Sequence, residues 1–387
     1  MPDVPADNPF MKIAFDLRRI KNPGIGRYMK CLVEAVVAQA PDHEYLLITP
    51  PNGEDFVAVQ GANVEKISPA LKYYSVREQI ELPRILRRYK VDLLHSPHFL
   101  LPLLRPCAAV ATIHDVIYLA CKQDMPSLAG RLYYRGMMKA SVRLAERIIT
   151  DSQFSKADII SVLNADPAKI DVIYPGVDPK FAPVTDPALL QSVRAKFGID
   201  GDYILYTGIY KLRKNHAGLL RAFRHFRANG GRAQLVIAGP MGEGGPVLRR
   251  LAVELGIEES VIFTGFVSDA DLPALYSGTS VYACPSLYEG FGFTVLEAMA
   301  CGTPVVSSSA TSLPEVAGEA ALYSDPRNPE EFASSLYRAF TDAGLRSALV
   351  EKGQKNLQRF NWANTAAETL AVYQHALQAP LPKAAFA

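Results

Sequence analysis

An α/β fold of two Rossmann-like, doubly wound parallel-sheet domains is predicted by three features of this chain. Its 387 residues exceed what one hydrophobic core usually organises. Short β-rich apolar runs alternate with longer segments of helical period, the pattern of parallel strands covered by helices on both faces. That rhythm stops at a proline-marked passage, Tyr174-Pro-Gly-Val-Asp-Pro-Lys-Phe-Ala-Pro183, and then begins again.

The elements follow in order. In the first half, strands are expected at residues 12–16, 44–49, 91–96, 108–114, 147–151 and 171–174, with helices over 27–40, 75–90, 127–146 and 154–164. After the linker, strands are expected at 203–207, 234–238, 261–264, 280–284, 304–308 and 320–323, with Gly208 opening the first strand-to-helix turn. A long helix should close the chain, from Phe360-Asn-Trp362 to about Leu377. The expected domains are 1–178 and 179–360, with 361–387 as a closing helical segment. Residues 1–10 are polar and Pro-rich, and read as a floppy leader rather than a signal peptide.

Composition narrows the function classes. Hydrophobic residues at 49% and charged residues at 21% suit a soluble globular protein, and a net charge of +2 leaves no footprint of a nucleic-acid binder. Cys31, Cys107, Cys121, Cys284 and Cys301 are scattered without a C-x-x-C pair, which points to reduced thiols in a cytoplasm. The apolar run from Phe99 to Leu104 is too short to cross a membrane.

Residues 285–304 carry the strongest chemical signal. A buried strand runs into Pro-Ser-Leu-Tyr-Glu289-Gly290-Phe291-Gly292-Phe293-Thr294-Val-Leu-Glu297, with a helix opening near Thr294. Such a turn aims bare backbone N–H groups and the positive end of a helix dipole at whatever lies above it. Gly290 and Gly292 allow close backbone approach. Amides for phosphate beside two carboxylates for hydroxyls is the chemistry of sugar-nucleotide recognition. A blander reading stands beside it: Thr294-Val-Leu-Glu297 is also an [S/T]-x-x-E capping box.

Glu289-x7-Glu297, with Gly-Phe-Gly-Phe between and Cys-Gly-Thr-Pro-Val-Val after, resembles the donor-site motif of the retaining glycosyltransferases of family 4. The resemblance implies the GT-B fold, two Rossmann-like domains facing a cleft, with the C-terminal helix crossing back onto the first domain near Phe360. It implies a metal-independent transfer from a nucleotide-diphospho-sugar, which is a substrate, so no cofactor is called for.

The same resemblance distributes roles over other motifs. Gly208-Ile-Tyr-Lys211-Leu-Arg213-Lys214-Asn215 matches the turn where the family places an Arg/Lys pair on the donor pyrophosphate; Ile209 stands where a variant of that motif has Arg. Lys214 is the firmer match, Arg213 the second, and Lys211 a surface residue. Glu289 would bind sugar hydroxyls, Glu297 the ribose diol, and the amides at Phe293–Thr294 the phosphates. Thr264-Gly-Phe266-Val267 resembles the loop that holds the nucleobase. Asn22-Pro-Gly24-Ile-Gly26-Arg27-Tyr28 suits phosphate or sugar approach at a helix start, although it lacks the third glycine of a dinucleotide fingerprint. Thr112-Ile-His114-Asp115 ends a strand where the family sets a His against donor sugar and phosphate. On the acceptor side stand Arg27, Tyr28, His98 and Asp115. His95-Ser-Pro-His98 reads as wall or structure rather than metal, and Asp269-Ala-Asp271 as helix capping rather than a manganese handle.

Arg131, Arg135, Lys139, Arg143 and Arg147 recur every fourth residue and would line a basic strip on one helix. Its two readings are a solvated face and a peripheral contact with an anionic membrane on the inner side. Ile173-Tyr-Pro-Gly-Val-Asp-Pro, Thr150-Asp-Ser-Gln-Phe-Ser and Arg213-Lys-Asn look most like bacterial polysaccharide mannosyltransferases. The expected donor is therefore GDP-mannose and the acceptor a saccharide or lipid-linked saccharide. UDP-hexose or UDP-N-acetylhexosamine donors are the alternatives, as is an inactive nucleotide-sugar-binding protein.

Overall fold

A computed structural model describes residues 10–22, 24–125 and 127–379. The expected leader therefore lies outside the described residues except for Phe10, as do 380–387 of the closing segment. The contacts divide the chain into two compact units. Unit 1 comprises 1–119, 127–176 and 360–387; unit 2 comprises 120–126 and 177–359.

In unit 1, β1 (Lys12–Asp16), β2 (Glu44–Ile48), β3 (Val64–Ile67), β4 (Leu93–Ser96), β5 (Ala108–Thr112), β6 (Arg147–Thr150) and β7 (Ile170–Val172) form one sheet in the order β3-β2-β1-β4-β5-β6-β7. Every pairing is parallel. The central strands are buried on both faces, which is why they are mostly apolar: β4 and β5 are buried throughout, with His95 and Ser96 as the polar residues of β4. The edge strand β3 was not expected. Val64-Glu-Lys-Ile67 has only two apolar residues and an exposed Glu65, so it lacks the apolar run that marks the others.

Local chemistry sets the helix boundaries. The helix Val76–Arg88 starts at Ser75, whose hydroxyl accepts from the Glu78 amide at 3.2 Å. The helix Leu128–Leu144 stops before Arg147, and this corrects the basic strip. Arg147 opens β6 instead, and its guanidinium Nε donates to Asp171 at 2.8 Å. The strip is left with Arg131, Arg135, Lys139 and Arg143. The C-terminal helix Trp362–Gln378 packs within unit 1 on the helix Ile25–Gln39 and on β5 and β6. Thr365 Oγ1 donates to Tyr174 O at 2.7 Å, and the Tyr373 hydroxyl lies 2.5 Å from His95 Nδ1. His95 Nε2 meets Thr112 Oγ1 at 2.9 Å, and burial pushes the ring pKa down to about 3. His95 is thus a neutral core histidine that ties β4 and β5 to the C-terminal helix.

Unit 2 repeats the plan with β8 (Tyr203–Thr207), β9 (Gln234–Ala238), β10 (Val261–Gly265), β11 (Val281–Cys284), β12 (Val305–Ser308) and β13 (Ala321–Ser324), ordered β10-β9-β8-β11-β12-β13. Leu219, Phe223 and Phe226 of the helix His216–Ala228 pack with Leu235, Ile237 and Leu336 in its core. In each sheet the strand order reverses once, between β1 and β4 and between β8 and β11. Ligand crevices in open α/β sheets form at the carboxyl ends of such strand pairs.

Candidate active site

In unit 2, the loops leaving β8 and β11 meet at that reversal. Beyond β8 the chain makes a short turn, Leu212–Lys214, and Asn215 then takes a left-handed conformation at φ 57°. The Asn215 amide donates to Pro285 O at 3.0 Å and to Pro326 O at 2.7 Å, while the Leu287 amide donates to Arg213 O at 2.7 Å. These bonds stitch the cationic turn to the loop that carries Glu289.

The predicted carboxylate and cations converge. Glu289 Oε1 accepts from Lys214 Nζ at 2.5 Å and from Ser286 Oγ at 2.7 Å, and Oε2 accepts from Arg213 Nη1 at 3.2 Å. Arg213 Nε lies 2.9 Å from Asp124 Oδ2. The Glu289 backbone is held on both sides: its N–H donates to Thr311 Oγ1 at 3.1 Å and its carbonyl accepts from Ser312 Oγ at 2.9 Å. Burial pushes the Glu289 pKa up, but Lys214 and Arg213 outweigh it and hold the carboxyl below its ordinary range. Glu289 is therefore an anion at neutral pH, positioned between two cations.

The helix expected near Thr294 runs Phe293–Ala300 and begins at Gly292, φ 114°. The positive φ demands glycine, and a Cβ there would also sit 2.7 Å from Leu313 Cδ2, which would have to shift. Because Gly292 is the N-cap, Thr294 lies inside the first turn, and the capping-box reading is not what the chain does. Glu297 instead accepts from the Tyr276 hydroxyl at 2.9 Å, and that hydroxyl also lies 2.7 Å from Thr207 Oγ1. Thr207 in turn meets Tyr282 Oη at 3.1 Å. A buried hydroxyl network beneath the helix thus fixes Glu297.

The remaining residues expected in unit 2 fall on the same strand ends. Gly208 follows β8, while Gly290 and Phe291 lie between Glu289 and the helix; Phe291 is buried against Phe293, ring centres 5.0 Å apart. Phe266 is 77% exposed beside half-buried Val267, just past β10. Asp271 occupies the N-cap of the helix Leu272–Ser277 as expected, but the side chains of Asp269 and Asp271 bond elsewhere. They pair with Lys180 at 2.6 Å and Lys196 at 2.7 Å. Among the described residues, no group of three or more His, Cys, Asp and Glu could hold a metal ion.

Unit 1 gathers a second set. His114 Nδ1 lies 2.7 Å from Asp151 Oδ2 and Nε2 lies 3.3 Å from Pro97 O. Both neighbours only accept, so both ring nitrogens must donate and the imidazolium is the form that fits. Burial opposes that charge, yet Asp151, with Asp115 and Pro97 O adding to it, outweighs burial and the pKa is raised. Tyr28 is buried edge-on against this ring at 4.7 Å, a support behind His114. Asp115 accepts from the Ile117 amide at 2.9 Å. His98 is buried against Phe99 and Tyr73 and kept neutral by burial, with Arg19 and His114 adding to the effect. Gly24 caps the first helix at φ 79°, and Arg27 is half-buried one turn on. Gly26 is required by packing, because a Cβ there would lie 1.9 Å from Ile20 O.

Asp124, Tyr276, Ser286, Thr311, Ser312 and Asp151 hold these sets but gave no signal in the sequence as site residues. Only Thr311 leaves a structural mark of its own, a β-branched residue at φ 60°.

Comparison with known proteins gives the family and the fold. The family model described as Glycosyltransferase Family 4 matches residues 23–181, and that described as Glycosyl transferases group 1 matches residues 191–356. O-antigen chain mannosyltransferase B of Escherichia coli is 33% identical over 386 residues, covering 94% of this chain and 100% of that protein. The glycosyltransferase of Rickettsia africae superposes with a TM-score of 0.74 at 16% identity, covering 96% of this chain and 100% of that one. The Anabaena protein HepE, solved in complex with UDP and glucose, reaches 0.73 at 20% identity, covering 93% of this chain and 99% of its own.

Proposed function

The chain belongs to glycosyltransferase family 4 and is a hexosyltransferase of GT-B fold; from its site we propose that it moves mannose from GDP-mannose, with retention and without a metal, to a glycan or lipid-linked acceptor hydroxyl in polysaccharide synthesis. The convergence of Arg213, Lys214 and Glu289 at the β8/β11 reversal carries this reading. The mannosyl assignment is supported by similarity to a chain whose name is O-antigen chain mannosyltransferase B.

The C1–O bond to the donor diphosphate breaks as the bond from C1 to the acceptor oxygen forms. The departing phosphate takes the acceptor's proton on the same face, so no enzyme nucleophile is assigned. Negative charge grows on the leaving diphosphate. Arg213, Lys214 and the amides at Phe293 and Thr294 stabilise it more in the transition state than in the ground state. Glu289 holds the sugar hydroxyls, and Glu297 the ribose diol. The exposed ring of Phe266 and the backbone at Val267 serve the base. By the family resemblance His114 is assigned to the donor's sugar and phosphate, with Gly24 and Gly26 shaping the turn, and Arg27, Tyr28, His98 and Asp115 are assigned to the acceptor.

Peripheral contact with an anionic membrane is supported by Arg131, Arg135, Lys139 and Arg143 beside exposed Leu128, Leu132 and Tyr133 on the same helix. No helix among the described residues is long and apolar enough to cross a membrane.

The test is a panel of GDP-mannose, UDP-glucose, UDP-galactose and UDP-N-acetylglucosamine, read by released nucleotide with and without acceptor extract. GDP-mannose should be turned over fastest, and Lys214→Ala should slow it about 100-fold. Preferential use of a UDP-sugar overturns the mannosyl assignment. Binding without turnover of any donor overturns the catalytic one.

A further inference from the structure

Asp124 is a charged group of the unit 2 cluster that the family-based roles leave unused. It sits in the segment 120–126, which belongs to unit 2 although the residues on either side of it in sequence belong to unit 1. Its carboxylate lies 2.9 Å from Arg213 Nε and is nearly buried there. Arg213 and Lys214 supply two positive charges, and the carboxylates touching them, Glu289 and Asp124, supply two negative ones. These four groups, taken together, sum to zero charge.

A nucleotide diphosphate adds negative charge that this cluster cannot take while both carboxylates remain, because like charges a few ångströms apart repel strongly in a partly buried site. One carboxylate has to withdraw. Glu289 is held by Ser286 and Lys214 at its side chain, and by Thr311 and Ser312 at its backbone. Asp124 ends a single three-residue turn, Lys122–Asp124, that starts without a side-chain cap. It is the carboxylate that can leave.

Resting on the reading of Arg213-Lys214 as the diphosphate site, we propose that Asp124 is a built-in stand-in for the donor phosphate. It occupies Arg213 while the site is empty, and an arriving nucleotide diphosphate displaces it. Donor binding and release of residues 120–125 are then reciprocally coupled.

The experiment measures GDP and UDP binding by calorimetry to the full chain and to Asp124→Asn, Arg213→Gln, the double variant and Lys214→Ala. Hydrogen exchange at 120–125 is followed in the unsubstituted protein with and without saturating nucleotide. Asp124→Asn should tighten the nucleotide that binds by about fivefold, the double variant should lose that gain, and exchange at 120–125 should speed up when nucleotide is added. If Asp124→Asn binds equally or more weakly, or nucleotide slows exchange there, while Lys214→Ala impairs binding, the stand-in is overturned and the diphosphate site survives. Indifference of binding to both Arg213→Gln and Lys214→Ala would overturn the diphosphate site itself, and the stand-in with it. Should Asp124→Asn fail to fold, the exchange measurement on the unsubstituted protein decides alone.

Discussion

Glu289 is a buried anion whose charge is set by Lys214 and Arg213 rather than by solvent. Glu289→Gln keeps the shape but leaves two cations without their shared carboxylate; turnover should fall on the order of 100-fold, and stability at pH 7 by about 3 kcal/mol. The pH dependence has a definite sign. The folded-state pKa lies below the ordinary 4.5, so the stabilisation is present above that value and disappears as pH falls through the lowered one. Urea titrations at a series of pH values should therefore show the gap between the two proteins closing in acid. Thr311 poses a different question, because its left-handed backbone is strained while its hydroxyl accepts the Glu289 amide. Thr311→Gly relieves the strain and removes the acceptor, so melting should not suffer while kcat drops; Thr311→Ser retains the acceptor and should retain kcat. For His114 the raised pKa stems from Asp151 acting against burial, so Asp151→Asn should move the imidazole titration, followed by NMR, to lower pH.

At the scale of elements, the turn into the first helix separates two glycines that look alike in sequence. A Cβ added at Gly24 would meet no atom within 4 Å, but the residue sits at φ 79°, so Gly24→Ala should cost about 1 kcal/mol. Gly26→Ala would drive a methyl against Ile20 O at 1.9 Å and should cost several-fold more, read as the shift in urea midpoint. The Gly-x-Gly pattern was legible, but its second glycine answers to packing, which spacing along the chain cannot report. The basic strip shows the same limit. A four-residue period continues through Arg147 on paper, yet the helix ends at Leu144 because the chain turns extended at Ala145 to enter β6. Strand β3 escaped detection for a related reason, since an edge strand needs no continuous apolar run.

Over the whole molecule, the chain leaves unit 1 at Gly176 and returns to it at Phe360. Tyr373 and Ala366 of the returning helix are buried in that unit, and His95 depends on the Tyr373 hydroxyl. A chain ended at Arg359 should therefore lose hydrogen-exchange protection in β4, β5 and β6 while β8–β13 stay protected; equal loss in both sheets would refute this.

The two parallel sheets, and the residues of the β8 and β11 loops to which we assign the chemistry, could be named from the chain alone. Apolar runs, glycine spacing and local charge are properties of neighbours along the chain, and they specify strands and turns. Folding in three dimensions was needed to choose the side chains that hold those residues in place: Thr311 and Ser312 on the Glu289 backbone, Tyr276 on Glu297, Asp151 on His114, and Asp124 on Arg213. Such pairs depend on contacts across distant segments, and hydrogen bonds and ion pairs of that kind leave no periodic trace in the chain that makes them.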